Sequence, residues 1–333
     1  MELLYNNFLS DFFVICLRGL VNISGNYAVA IIVLTILIRL CMLPLDLKQR
    51  NNQERMQALG PELQSLQKRY ANDPQQLQRK QKELYQKMNV RPALGCLPML
   101  IQFPILFAFF GAMNVLASEQ IMGIMLQGAQ FGPETVELPR FFWIHNFWQP
   151  DSGLAPILPS TGDFLSFLQR NSTYITPQAM QLLHSQNILI YADGIVSVNA
   201  DNYNTLARAI IEANGVEYIQ NQAGQWIAAF NNGWFVLPVL SGLALFLQQK
   251  FAPQTANNAM AEAANPEAAE AQGCTNKTMM WFFPLFSVYI CCTSNSAFAL
   301  YWFFSSIYAF AQMRVINFIR KRKTGLPAKA QQA

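Results

Sequence analysis

Five stretches of this chain are too long and too apolar to be surrounded by water. A hydrocarbon core of about 30 Å is crossed by about 20 mostly apolar helical residues. The stretches 27–45, 94–116, 234–251, 278–293 and 298–318 meet or approach that length. The fourth is short, which implies local thinning of the bilayer around it. Inside hydrocarbon each backbone N–H and C=O needs a partner within its own segment, so spans of this length are helices. The composition agrees: residues of the AVILMFWYC set make up 52% of the 333, and 13% are charged, about half the usual share. A soluble surface cannot be built from so few charges. The fold class expected is an all-α membrane protein with five transmembrane helices.

The segments between the spans fix the orientation. Residues 46–93 hold ten Lys and Arg, from Lys48 to Arg91, and the tail 319–333 adds Arg320, Lys321, Arg322, Lys323 and Lys329. Residues 117–233 hold only Arg140, Arg170 and Arg208 against nine acids. Cytoplasmic segments carry the Lys/Arg excess. The first loop, the loop 252–277 and the C-terminus are therefore expected inside and the N-terminus outside, the parity five crossings give. Ahead of the first span, Leu4, Phe8, Phe12 and Ile15 recur at helical spacing with Asp11 and Arg18 among them. A signal peptide has a basic start and an uninterrupted apolar core, so residues 1–26 read as an amphipathic helix lying in the interface.

Within the first loop, Met56, Leu59, Leu63, Leu66 and Tyr70 form a heptad seam. Asn72, Asp73 and Pro74 interrupt it, and Pro74 suits the first position of a returning helix that carries Leu77, Leu84 and Met88. The pattern predicts an antiparallel helical hairpin in the cytoplasm. A basic paired hairpin suits docking of a cytosolic partner, although a solvated connector has the same composition.

Arg39 is the most informative single residue. It lies inside Ile31-Ile32-Val33-Leu34-Thr35-Ile36-Leu37-Ile38-Arg39-Leu40. A charge near the middle of a spanning helix costs at least about 2.5 kcal/mol on insertion scales. Snorkelling would move its head toward the end of the span, six residues on. A water-filled cavity within the bundle would instead hydrate it in place, with Thr35 one turn away on the same face and Gln102 in the second span. No Asp or Glu falls within any of the five spans, so the span residues offer Arg39 no acidic partner. A hydrated cation of this kind attracts acidic groups on a passing polypeptide.

Other chemistries fail on inventory. His145 and His184 are the only histidines, and the chain contains no H-E-x-x-H, G-x-S-x-G or Walker A sequence. The six cysteines include no C-x-x-C, and none lies between Leu97 and Gly273, so the long outer segment has no disulfide framework. The pair Cys291–Cys292 reads as two small apolar residues of a buried helix rather than a redox couple. Neither catalysis, a metal nor a cofactor is expected.

Several blocks, in order, resemble the YidC family of membrane-protein insertases. They are Ile38-Arg39-Leu40-Cys41-Met42-Leu43-Pro44-Leu45, then Gly95-Cys96-Leu97-Pro98-Met99-Leu100-Ile101-Gln102-Phe103-Pro104-Ile105, then Trp143-Ile144-His145. Leu237-Pro238-Val239-Leu240, Phe246-Leu247-Gln248-Gln249-Lys250, Met279-Met280 with Phe283-Pro284, and Leu300-Tyr301-Trp302 follow. The resemblance implies a five-helix core around a hydrophilic groove open to cytoplasm and lipid, with Arg39 as the groove arginine. Thr35 and Gln102 are the groove candidates beside it. It also implies that a client's polar end enters the groove while its apolar segment slides along the second and fourth spans. Phe103, Pro104, Ser287 and Thr293 are the candidate positions there. Nascent membrane proteins are the implied clients. The Sec translocon, the signal recognition particle receptor and the ribosome are possible partners, reached through the hairpin and the basic tail. Transfer of the apolar segment into the lipid bilayer supplies the driving force without nucleotide or metal. The implied location is the bacterial cell (inner) membrane.

Two blocks depart from the family pattern. Ser294-Asn295-Ser296-Ala297 stands where the family usually has Phe-Pro-Ala/Ser-Gly at the turn between the last spans. Residues 153–232 read as an insertion, a small folded or semi-ordered element with helical stretches such as Tyr203 to Glu212. The short type, without a large N-terminal periplasmic domain, is expected. Two other functions stay open at this stage: a small-solute channel or anion transporter using Arg39, and a scaffold without translocation activity. Inverted repeats would favour the transporter, and tolerance of any substitution at Arg39 would favour the scaffold.

Overall fold

The computed structural model describes residues 8–90, 97–170, 176–192, 195–216, 218–220, 226–228, 232–251 and 266–324. Among them the chain is mostly helical, and the long helices follow the apolar stretches. Helix α1 is Phe8–Ser24, α2 Tyr27–Ala58, α3 Gly60–Arg69, α4 Pro74–Lys87 and α5 Leu97–Phe131. Then come α6 Thr161–Arg170, α7 Pro177–Ser185, strands β1 Leu189–Ala192 and β2 Ile195–Val198, and α8 Ala200–Ala213. Strands β3 Tyr218–Gln220 and β4 Trp226–Ala228 precede α9 Val236–Lys250, α10 Pro266–Thr293 and α11 Ser296–Thr324. On length and hydropathy, α2 and α5 are sufficient to cross a membrane, and α9 and the 280–293 part of α10 are shorter apolar helices.

The chain forms two compact units. One comprises residues 1–32, 107–241 and 288–302; the other comprises 33–106, 242–287 and 303–333. In the first unit the helices pack through aromatic residues. Phe109 of α5 stacks on Tyr301 of α11 with ring centres 3.9 Å apart, and Phe110 meets Phe298 edge-on at 5.0 Å. The Asn295 amide nitrogen donates to the Met113 carbonyl at 3.4 Å. Residue numbers fall on α5 as they rise on α11, so the two helices run antiparallel. Helix α5 continues well past its expected end at 116. The reason is that Glu119, which lowers the local hydropathy, forms an ion pair with Arg18 of α1, while Ile121, Met122, Ile124 and Met125 stay buried.

The insertion belongs to this unit and is ordered where described. Its core is Phe164, Leu168, Leu183, Tyr203, Ile210 and Ile211. Thr176 caps α7 by accepting from the Ala179 N–H at 3.2 Å, and Asn199 caps α8 by accepting from Asn202 at 3.4 Å. The expectation of a purely α-helical chain omits two short antiparallel hairpins here. β1 pairs with β2 from Leu189↔Val198 to Ala192↔Ile195, and β3 pairs with β4 from Tyr218↔Ala228 to Gln220↔Trp226. The turn between the last two helices is tight: the Asn295 side chain accepts from the Phe298 N–H at 2.9 Å, capping α11 with no glycine among residues 294–297.

In the second unit, α3 and α4 are joined by a short turn in which the Asp73 carboxylate accepts from the Gln76 N–H at 3.0 Å and Pro74 takes the first helical position. Met56, Leu59, Leu63 and Val90 make a small core, with Leu84 and Tyr85 packed against it. Two details differ from the seam read in the sequence. The helix breaks at Leu59, because Pro61 has no N–H and its ring opposes the preceding turn. Met88 ends exposed at the C-cap of α4, and Val90 fills the core instead. The expected start of the second span at residue 94, with the Gly95-Cys96 pair, lies outside the described residues.

Candidate functional site

Arg39 sits half-buried on α2 in the second unit. Its Nε donates to the Ser305 hydroxyl of α11 at 3.0 Å, and its Nη2 donates to the same oxygen. A hydroxyl oxygen has two lone pairs, and both are engaged. The guanidinium has five N–H donors, so three remain without a protein acceptor among the described residues. No acid pairs with Arg39 among them either. The part of a guanidinium taken out of water needs hydrogen bonds to offset that loss, and one neutral hydroxyl engages only two of its five donors.

Two further polar contacts join the same pair of helices. The Gln312 side-chain nitrogen donates to the Asp46 carboxylate at 3.1 Å. Arg50 donates to the Met313 carbonyl at 3.3 Å and to the Asn317 side chain at 3.4 Å. Numbers rise together on α2 and α11, so these helices run parallel. Helix α9 also runs with α11. Ser241 donates to the Ala299 carbonyl at 3.3 Å in the first unit, and Phe251 packs on Phe310 with ring centres 5.8 Å apart in the second.

The same unit gathers three helix-interior prolines: Pro44 in α2, Pro104 in α5 and Pro284 in α10. Each removes one backbone N–H and so frees the carbonyl four residues earlier, those of Leu40, Leu100 and Met280. Freed carbonyls in apolar helices are tolerated where neighbouring groups or ordered water satisfy them.

The remaining candidates separate by exposure. Thr35 is buried one turn before Arg39, and Gln102 is half-buried on α5. Phe103 is 41% exposed and Pro104 beside it is also exposed. Ser287 of α10 is fully buried, and its hydroxyl has no hydrogen-bond partner among the described residues. Around it the helix shows Trp281, Phe282, Leu285 and Phe286 outward. Thr293 falls in the other unit, exposed at the end of α10. Its hydroxyl donates back to the Tyr289 and Ile290 carbonyls at 3.2 and 3.1 Å.

Sequence reasoning missed Ser305. The signal was present: Ser305-Ser306 is a polar pair inside an apolar, aromatic span, and such residues face the bundle interior. Among the described residues no group of three or more His, Cys, Asp and Glu has the arrangement of a metal site.

A family model described as 60Kd inner membrane protein matches residues 19–323. Among curated relatives, a membrane protein insertase YidC from Clostridium perfringens is 38% identical over 148 residues, 44% of this chain and 55% of the relative. One from Fusobacterium nucleatum is 44% identical over 114 residues, 34% of this chain and 55% of the relative. One from Alkalihalophilus pseudofirmus is 34% identical over 185 residues, 54% of this chain and 64% of the relative. The matched part thus spans less than two thirds of each of these relatives' length.

Proposed function

The chain belongs to the 60Kd inner membrane protein family, which includes the YidC insertases, and on that premise we propose that it inserts client polypeptides into the bilayer of the bacterial cell membrane. The observation that carries this reading is Arg39: a cation inside an apolar helix, hydrogen-bonded to Ser305 and without an acidic partner among the described residues. Such a group calls for water or further acceptors within reach. The three proline-freed carbonyls of the same unit favour a hydrated interior too. A polar or acidic client terminus entering that space would replace water on the three open N–H donors of Arg39. The client's apolar segment would meanwhile leave along α5 and α10, past Phe103 and Pro104, to lipid. Thr35 and Gln102 line the groove in this reading, and the exposed Trp281, Phe282, Leu285 and Phe286 favour α10 as the second sliding helix, whereas Ser287 is buried behind them.

Within the first unit α5 runs against α11, and within the second α2 runs with it, which suits helices that cross a bilayer alternately. With the positive-inside rule this puts the N-terminus outside, α1 in the outer interface, and the α3–α4 hairpin and C-terminal tail in the cytoplasm. The hairpin's basic surface suits a ribosome, the signal recognition particle receptor or the Sec translocon. No step of the proposed cycle breaks or makes a covalent bond, so the role is not enzymatic. A photoreactive side chain in place of Phe103 tests the path. Adducts with nascent membrane proteins are expected, reduced in an Arg39→Ala background; insertion at the normal rate with no adducts would exclude α5 as the path.

A further inference from the structure

The loop ahead of α9 carries an aromatic turn that the proposed client path does not use. Phe141 and Ile144 exchange backbone hydrogen bonds at 3.0 and 2.8 Å, closing a turn with Phe142 at its tip. Phe142 is 83% exposed and has φ of +49°. That backbone region disfavours a bulky side chain, and such conformations persist where the surroundings enforce them. The enforcement is on the same loop. Trp143 stacks on the Phe142 ring with centres 6.0 Å apart, and its indole N–H donates to the Asp151 carboxylate at 3.1 Å.

Asp151 is fully buried and ties this turn to the start of α9. Its two oxygens also accept the backbone N–H groups of Trp234 at 2.8 Å and Leu237 at 2.7 Å. Asn146 and Asn232 lock the loop further: Asn232 accepts from the Asn146 N–H at 2.7 Å and donates to the Asn146 carbonyl at 2.9 Å. Beside these groups Trp234 is 65% and Leu154 is 86% exposed. A rigid, buried polar knot therefore presents Phe142, Leu154 and Trp234 outward at the N-terminal end of an apolar helix whose Val239 is exposed one turn on.

An exposed tryptophan at the end of a spanning helix matches the boundary between headgroups and acyl chains, where Trp and Tyr concentrate, and the exposed Phe142 and Leu154 add apolar surface beside Trp234. We propose that the Phe142 turn, with Leu154 and Trp234, is an anchor seated in the lipid of the extracytoplasmic leaflet, fixing the depth of the α9 N-terminus. This rests on the reading of α9 as a membrane crossing. The backbone strain at Phe142 is then explained by its ring: the turn holds an apolar group outward to reach lipid, where an asparagine or glycine would relax the backbone.

The test is spin-label accessibility in proteoliposomes, with the six native cysteines replaced by serine or alanine. Single labels are placed at Phe142→Cys, at Leu243→Cys within α9 and at Asn204→Cys on α8. The expected result is that labels at 142 and 243 relax several-fold more with dissolved oxygen than with a water-soluble nickel chelate, whereas 204 shows the reverse. If 243 is lipid-exposed but 142 matches 204, the anchor is overturned and α9 as a crossing stands. If both 142 and 243 match 204, the crossing falls and the anchor with it. A cysteine-free chain that does not fold leaves a second measurement on the native one. Brominated lipids are expected to quench wild-type tryptophan fluorescence more than that of Trp234→Phe. Equal fractional quenching overturns the anchor.

Discussion

Ser305 holds the guanidinium of Arg39 through two of its five donors, and this sets what each substitution there does. A hydrogen bond to a charged group is worth about 1.5–3 kcal/mol. Ser305→Ala is therefore expected to lower the melting temperature in detergent, while keeping insertion within about twofold of wild type, because Ser305 is the resting partner rather than the client. Insertion falling as far as in Arg39→Ala would place Ser305 in the client site itself. His145 gives a second expectation at this scale. Burial, and then the Arg140 charge nearby, lower its pKa below the ordinary 6.5. The fold thus favours the neutral ring, and its contribution is full above about pH 6.5. As pH falls from there toward the lowered value, the unfolded chain binds the proton first and stability declines. Thermal unfolding at pH 7.5 and 5.5 checks this: wild type should lose stability on acidification more than His145→Gln, and equal losses would sink the assignment.

The elements show which parts of the chain were legible in advance. Arg39 and the start of α2 at Tyr27 stood out because charge and hydropathy are local signals. The α3–α4 break at Asp73-Pro74 was legible for the same reason. What stayed hidden depended on partners far along the chain. Helix α5 runs on to Phe131 with Ile121, Met122, Ile124 and Met125 buried, and Glu119, which interrupts its hydropathy, pairs with Arg18, 101 residues away, so no window of hydropathy contains both. The Asp151 cap on α9 bridges 86 residues to Leu237, with the insertion between. Hairpin β1–β2 had a usable signal, since Asp193-Gly194 between Ile190-Tyr191 and Ile195-Val196 is a turn signature, but the helical reading of the neighbouring stretch concealed it. The helical hairpin yields its own expectation. Leu63 is fully buried in a core of few residues, so Leu63→Ala should cost about 2–3 kcal/mol there. Hydrogen exchange should speed up across 56–90 and remain unchanged in α9 and α11. Faster exchange throughout the chain would show that the hairpin is not an independent unit.

At the scale of the whole molecule, three observations bear on the proposed role: α5 runs against α11 within the first unit, Arg39 has no acidic partner among the described residues, and the chain belongs to a family that includes insertases. The cation without an acid among the described residues argues against a structural ion pair as the reason for Arg39. Membership of a family that includes insertases favours the proposal that the Arg39 site receives polypeptide rather than a small solute. Arg39 stood out in the sequence by its charge, with Thr35 and Gln102 proposed beside it, whereas its partner Ser305 came from the folded arrangement, because α2 and α11 lie 266 residues apart at that contact.

The most direct measurement is protease-protected insertion of a small single-span client, with an acidic terminus, into liposomes containing only this protein. Wild type should insert it without nucleotide. Arg39→Lys should retain most of the rate, since the positive charge is kept. Arg39→Ala should insert about tenfold more slowly, equivalent to about 1.4 kcal/mol of lost stabilisation. Equal rates for wild type and Arg39→Ala, with both proteins folded, would contradict the account, as would an Arg39→Lys variant as slow as Arg39→Ala.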